Sequence, residues 1–102
     1  MPRRNRDYHS SLLKRLADPE LAEKYIEEAA KDSTESLLMA LKDVLQSRFQ
    51  MTEAAKATGI TRETLYTSLS DEGNPTISTF FSVLKLLDVD IHYRFKAKRK
   101  GT

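Results

Sequence analysis

Residues 51–69, MTEAAKATGITRETLYTSL, decide the reading of this chain. An alanine-rich stretch, a glycine and a second run with a polar outer face spell a helix, a tight turn and another helix. That is the layout in which a second helix is offered to the DNA major groove. The residue five positions before Ile60 has to be small, because the two helices approach closely there, and it is Ala55. The turn needs a residue that accepts positive φ at low cost, and Gly59 does so. Ile60 and Leu65 then lock the second helix on the first, and Leu69 continues the apolar stripe one turn beyond Leu65. Thr52 is placed to cap the first helix and Thr61 the second. With Leu65 and Leu69 turned inward, Arg62, Glu63, Tyr66, Thr67 and Ser70 have to point out. The same spacing also describes an ordinary helical hairpin, and Tyr66 also suits a place in the core, so the pattern alone leaves both open.

Working outward, the upstream sequence is helical by its spacing. Tyr8, Leu12, Leu13 and Leu16 form a short apolar stripe within residues 5–16. Asp18-Pro19-Glu20 reads as an N-cap, a proline at the first helical position and an acid in the first turn. The helix that follows places Leu21, Tyr25, Ile26, Ala29 and Ala30 on one face and Glu20, Glu23, Glu27 and Glu28 elsewhere. Asp32-Ser33-Thr34-Glu35 interrupts it and supplies the next cap. Leu37, Leu38, Leu41, Val44, Leu45 and Phe49 then repeat at amphipathic helical spacing. Downstream, Asp71-Glu72-Gly73-Asn74-Pro75 is a loop by its turn residues. Thr76 caps a last helix carrying Ile77, Phe80, Phe81, Val83, Leu84 and Leu87, and Pro75 marks its boundary.

The period then changes. Val89, Ile91, Tyr93 and Phe95 alternate with Asp90, His92, Arg94 and Lys96, which predicts a β-strand with one apolar face. A lone strand in a helical chain has no partner, so pairing with its twin across a two-fold axis is the favoured expectation. An extended tail packed on the helices is the alternative. The expected organisation is a basic arm at 1–11, a helical domain at 12–88 with the helix-turn-helix at 51–70, a strand at 89–96 and a basic tail at 97–102.

A length of 102 residues predicts one domain with a modest core, for which a dimer interface adds useful burial. The chain has no cysteine, which excludes disulfides, thiolate metal sites and cysteine nucleophiles and suits a reducing cytosol. The first ten residues, MPRRNRDYHS, do not read as a secretory signal, and no apolar run approaches the ~20 residues of a membrane span. Charge is segregated. Residues 1–17 set Arg3, Arg4, Arg6, Lys14 and Arg15 against Asp7 alone, residues 18–36 hold seven acids against Lys24 and Lys31, and residues 93–102 hold five cations and no acid. Basic ends of this kind suit contact with a polyanion and equally serve solubility.

The outward residues suit groove reading. Arg62 can donate two hydrogen bonds to a guanine, Glu63 can accept from cytosine, and Thr67 can bond a base edge or touch a thymine methyl. Tyr66 can bond a phosphate or line the groove wall. Thr52 and Thr61 sit where helix N-termini hold phosphates, Lys56 can add a backbone contact, and Asn74 and Thr76 can clamp a phosphate from the next loop. Residues 50–70 are not basic, however, with Lys56 and Arg62 balanced by Glu53 and Glu63. Non-specific affinity from this element alone is therefore weak, and a dimer, the 71–76 loop and the basic ends have to supply the rest. His9 and His92 form no metal-binding spacing or nucleophile–base arrangement, and the three glycines are scattered rather than forming a phosphate loop. No cofactor, metal or small-molecule substrate is expected, and an enzymatic role has the least support.

Taken with these features, the run Arg62-Glu63-Thr64-Leu65-Tyr66, Leu69-Ser70, Glu72-Gly73-Asn74-Pro75 and Ser78-Thr79 resembles the addiction-module antidote proteins. These are HigA-like antitoxins of the Xre-type helix-turn-helix group. LADPELAEKYIEEAAKDSTESLLMALKDVLQSR resembles the first half of the same family, so the likeness covers about residues 12–92. Together with the spacing and the alternation at 89–96, it leads to the expectation of an all-α, five-helix, lambda-repressor-like helix-turn-helix domain with a short C-terminal β-strand pairing in a cytoplasmic homodimer. It also implies binding and neutralisation of a small basic RelE/HigB-like toxin, and repression of the protein's own operon by the dimer on an inverted repeat. The DNA-contacting positions implied by the resemblance are Thr61, Arg62, Glu63, Tyr66 and Thr67. Many Xre domains place an apolar residue where Ser68 stands and a polar one where Leu69 stands, which predicts a slightly rolled second helix. The acidic helix 19–31 is a second candidate surface, either for a basic toxin or simply as a solvated face. A stand-alone Xre-type repressor without a toxin, and a protein-interaction module that has lost DNA binding, are the competing readings.

Overall fold

Short polar residues start nearly every helix of the chain. In the computed structural model, which describes residues 6–70, 72–92 and 94–97, six helices follow one another: α1 (Arg6–Leu16), α2 (Pro19–Asp32), α3 (Thr34–Arg48), α4 (Met51–Thr58), α5 (Arg62–Ser68) and α6 (Ile77–Leu86). The Asp18 carboxylate accepts from the Glu20 N–H at 3.0 Å, with Pro19 in the first turn of α2. Ser33, Thr61 and Thr76 each accept from the backbone N–H three residues on, at 3.0, 3.2 and 3.1 Å, opening α3, α5 and α6. Each cap satisfies a donor that the helix itself leaves unpaired.

Three expectations need correction. The count is six helices rather than five among the described residues, because the 5–16 stripe is a full helix. Its Leu12 and Leu16 are buried, and α1 packs on α2 and α3. The cap of α4 is Gln50 rather than Thr52: the helix opens at Met51, and the Glu53 side chain reaches back to accept from the Gln50 N–H at 3.1 Å. Thr52 is thus inside the first turn. Finally, the C-terminal strand is absent, since residues 89–92 and 94–97 form neither helix nor strand. A strand exists only as a member of a ladder, and among the described residues there is no other strand to pair with it. Val89 is half-buried against the core, whereas Ile91 and Phe95 are exposed. Tyr93 lies outside the described residues, as do Arg3, Arg4, Lys98, Arg99 and Lys100.

The core is one continuous cluster. Leu38, Leu41, Val44 and Leu45 of α3 form its spine, with α1 and Ala22 of α2 on one side and Met51, Ala54, Leu65, Leu69, Val83, Leu84 and Leu87 on the other. Complete burial of each large aliphatic side chain contributes about 1.5–3 kcal/mol. Two polar ties brace this spine. The Tyr25 hydroxyl donates to the buried Asp43 carboxylate at 2.6 Å, joining α2 to α3. The Arg48 guanidinium donates to the Leu87 carbonyl at 2.8 Å, so the end of α3 holds the end of α6. Just beyond, Asp88 adopts φ 58 and lets the Val89 N–H reach back to the Leu84 carbonyl at 2.9 Å, the left-handed closure that commonly ends a helix.

Candidate nucleic-acid interface

Gly59 ends α4 at φ 74, in the left-handed region, and its N–H donates to the Ala55 carbonyl at 2.9 Å. This turn sets α5 across α4. Ala54 is completely buried and Ala55 half-buried, so the two helices meet over methyl groups, with Ile60 packed at the edge of the core. Leu65 and Leu69 are both fully buried. Ser68 is buried beside them, its hydroxyl donating to the Thr64 carbonyl at 2.5 Å. That bond satisfies a polar group that would otherwise be costly in the interior. The inward face of α5 is therefore Leu65, Ser68 and Leu69, so a polar and an apolar residue share the seat that the helix takes on the core.

A helix turns about 100° per residue, so this seat dictates what faces away. Glu63 and Thr67 are exposed on the opposite side, with Ser70 one turn further on and half-exposed. Arg62 is exposed and Tyr66 half-buried, and together they form one flank of the helix rather than its crest. Tyr66 takes a middle course between the two places the sequence allowed. Its ring packs against the core while two cations approach it, with Lys42 Nζ 5.2 Å and Arg62 Cζ 5.6 Å from the ring centroid. Each such contact is worth about 0.5–1 kcal/mol at an exposed site. The Thr67 hydroxyl donates to the Glu63 carbonyl at 2.9 Å, which leaves its methyl and an oxygen lone pair for a base edge.

The other candidate residues surround this helix. Thr52 and Lys56 are exposed on α4, Thr61 is exposed at the start of α5, and Asn74 and Thr76 are exposed in the loop before α6. Thr61 and Thr76 spend their side chains on capping. The loop is drawn against α5 at Gly73, whose N–H donates to the Ser70 carbonyl at 2.9 Å. A Cβ at that position would stand 2.2 Å from the Ser68 carbonyl oxygen, so the close approach requires glycine. An open cleft of about 340 Å³ lies between α1 and the start of α5, bordered by His9, Gln46, Gln50, Thr52, Arg62 and Tyr66. Lys42 and His9 were not expected here. Their contribution depends on α1 and α3 folding alongside α5, and no local spacing signals that. Among the described residues, no His, Asp and Glu side chains gather into a group that could hold a metal ion, and no helix is long and apolar enough to cross a membrane.

A small helical domain in which one short helix follows another through a glycine turn, with its polar side outward, fits the helix-turn-helix-like class of fold. A family model described as probable addiction module antidote protein matches residues 9–95, and the chain belongs to that family. An uncharacterized protein of Haemophilus influenzae (strain ATCC 51907 / DSM 11121 / KW20 / Rd) is 43% identical over 58 residues, a stretch that spans 57% of this chain and 59% of that protein. No solved structure matches the chain.

Proposed function

We propose that this protein is the antitoxin of a type II toxin–antitoxin module, which binds and neutralises a small basic RelE/HigB-like toxin and represses its own operon by sequence-specific DNA binding as a homodimer. The observation that carries the DNA-binding half is the seating of α5: Leu65 and Leu69 are fully buried while Arg62, Glu63 and Thr67 stand exposed. A rigid helix held by its apolar face and free along its polar face is what groove insertion needs. Thr52, Lys56, Thr61, Asn74 and Thr76 flank it as backbone contacts, and Tyr66 supports the flank. Two copies would place their α5 helices about 34–36 Å apart along the duplex, so the operator is a near-palindrome. Dimerisation through residues Val89, Ile91, Tyr93 and Phe95 would give the C-terminal segment a ladder partner in the second copy, with Ile91 and Phe95 covered in the pair.

Family membership supports the toxin half. The exposed row Glu20, Glu23, Glu27 and Glu28 on α2, with Leu21 exposed beside it, offers a basic partner both charge complementarity and an apolar anchor. The test has two arms. In a mobility-shift assay the protein should retard the DNA upstream of its own gene in preference to a scrambled duplex, with affinity falling steeply as salt rises. In co-expression it should co-purify with the product of the neighbouring open reading frame. The absence of any sequence-selective shift defeats the repressor reading. A neighbour that is not a small basic protein, or that does not co-purify, defeats the toxin reading.

A further inference from the structure

We infer that α1 forms a second wall of the DNA-binding surface, and that the sugar–phosphate backbone of one strand lies in the cleft between α1 and the α4–α5 pair, held by His9, Gln46 and Thr52; the inference rests on the DNA-binding reading above. This one cleft of about 340 Å³ is lined by His9 of α1, Gln46 of α3, Thr52 of α4 and Arg62 of α5. Each of the four carries an N–H or O–H group that can donate to a phosphate oxygen. Among the described residues, no hydrogen bond or ion pair engages any of these four side chains. The hydroxyls of Thr61, Thr67 and Ser68, by contrast, are taken up by caps or helix carbonyls. Among the described residues that line the cleft there is no carboxylate, and Arg62 gives it a positive charge. Leu13, Phe49 and Met51 add apolar surface to the same lining.

That mixture suits a phosphodiester strand better than a free anion. A phosphate brings charged oxygens to the donors, and the sugars on either side of it bring C–H surface to Leu13, Phe49 and Met51. The place of the cleft points the same way. Arg62 and Tyr66 border it and also form one flank of α5. A helix in the major groove meets base edges with its crest and the two backbones with its flanks. The backbone on this flank therefore runs beside α1, which packs on α3. The surface also continues along α1. Arg6 is exposed three residues before His9 and so shares its side of the helix. Asp7 lies about 200° round the helix from His9, on the far side.

The inference is tested by fluorescence anisotropy on the upstream duplex bound by the wild-type protein, on a panel of its single base-pair variants, and across a salt series. His9→Glu sets a carboxylate against the strand and should weaken binding roughly tenfold, by the same factor on every duplex. Gln46→Ala removes a neutral donor and should weaken it about fivefold, again uniformly. Arg6→Gln should make the salt slope shallower by about 1. Ser11→Glu adds the same charge as His9→Glu at an exposed position on the far side of α1, and should weaken binding less than about twofold at physiological salt. If His9→Glu and Ser11→Glu weaken binding equally, only net charge matters, and the inference falls while DNA binding stands. A reordered duplex ranking with His9→Glu would put a base in the cleft and also overturn it. Thermal melts separate loss of contact from loss of fold; should His9→Glu unfold the chain, the exposed Arg6 decides, and a wild-type salt slope for Arg6→Gln overturns the inference. A wild-type protein that binds no duplex at low salt removes the DNA-binding reading itself, and this inference with it.

Discussion

The helix α5 and the C-terminal segment 89–97 both carry a clear apolar period in sequence, yet only one of them is a regular element. In α5, Leu65 and Leu69 find a preformed seat on α4 and the core, and both ends of the helix are fastened, by Thr61 at the start and by the loop at Gly73. In the C-terminal segment the alternation of Val89, Ile91 and Phe95 is equally plain, but only Val89 reaches the core. The difference is the location of the partner. A helix satisfies its backbone hydrogen bonds internally and needs neighbours only for its apolar face, whereas a strand needs a neighbour for its backbone as well. Periodicity therefore predicts a helix more securely than a strand when the chain offers nothing to pair with.

The largest expected effect falls on the fastened side of this comparison. Leu65→Ala removes a completely buried side chain at the seat of α5 and should cost about 2–5 kcal/mol in chemical denaturation. A loss below 1 kcal/mol would mean that α5 is not held by that contact. Next is Gly73→Ala, which sets a methyl group against the Ser68 carbonyl at the end of α5. Backbone cannot swing away as a flexible side chain can, so a cost of about 1–3 kcal/mol is expected, read as a lower melting temperature. The smallest effect on stability belongs to the C-terminal segment. Phe95→Ser, at a residue 91% exposed, should change the unfolding free energy of the isolated chain by no more than about 0.5 kcal/mol. The same change should weaken self-association in sedimentation if the segment pairs across a dimer, and unaltered association would remove residue 95 from that interface.

Much of the fold is legible because its determinants are local. The Asp18-Pro19, Ser33, Thr61 and Thr76 caps, the leucine repeat of α3, and Gly59 between α4 and α5 all act within one or two helical turns, and each is found in the expected role. Gln50 escaped notice as a cap because Thr52 is the better cap former by residue type, and only the side chain of Glu53 reveals the true start of α4. The candidate site was legible as a face but not as an arrangement. Leu65 and Leu69 announce which side is buried, and so Glu63 and Thr67 as the opposite side.

What sequence alone determined is therefore the set of helices from α2 to α6, the turn at Gly59, and the polarity of α5, since these follow from hydrogen bonds and side-chain spacing among near neighbours. Tertiary structure decided the rest. It made α1 a full member of the core, buried Ser68 beside Leu69, brought Lys42 to within 5.2 Å of Tyr66, and left residues 89–92 and 94–97 outside any strand. Each of those outcomes depends on which distant surfaces meet, and contact between residues far apart in the chain is set by the packing of whole helices rather than by any local spacing.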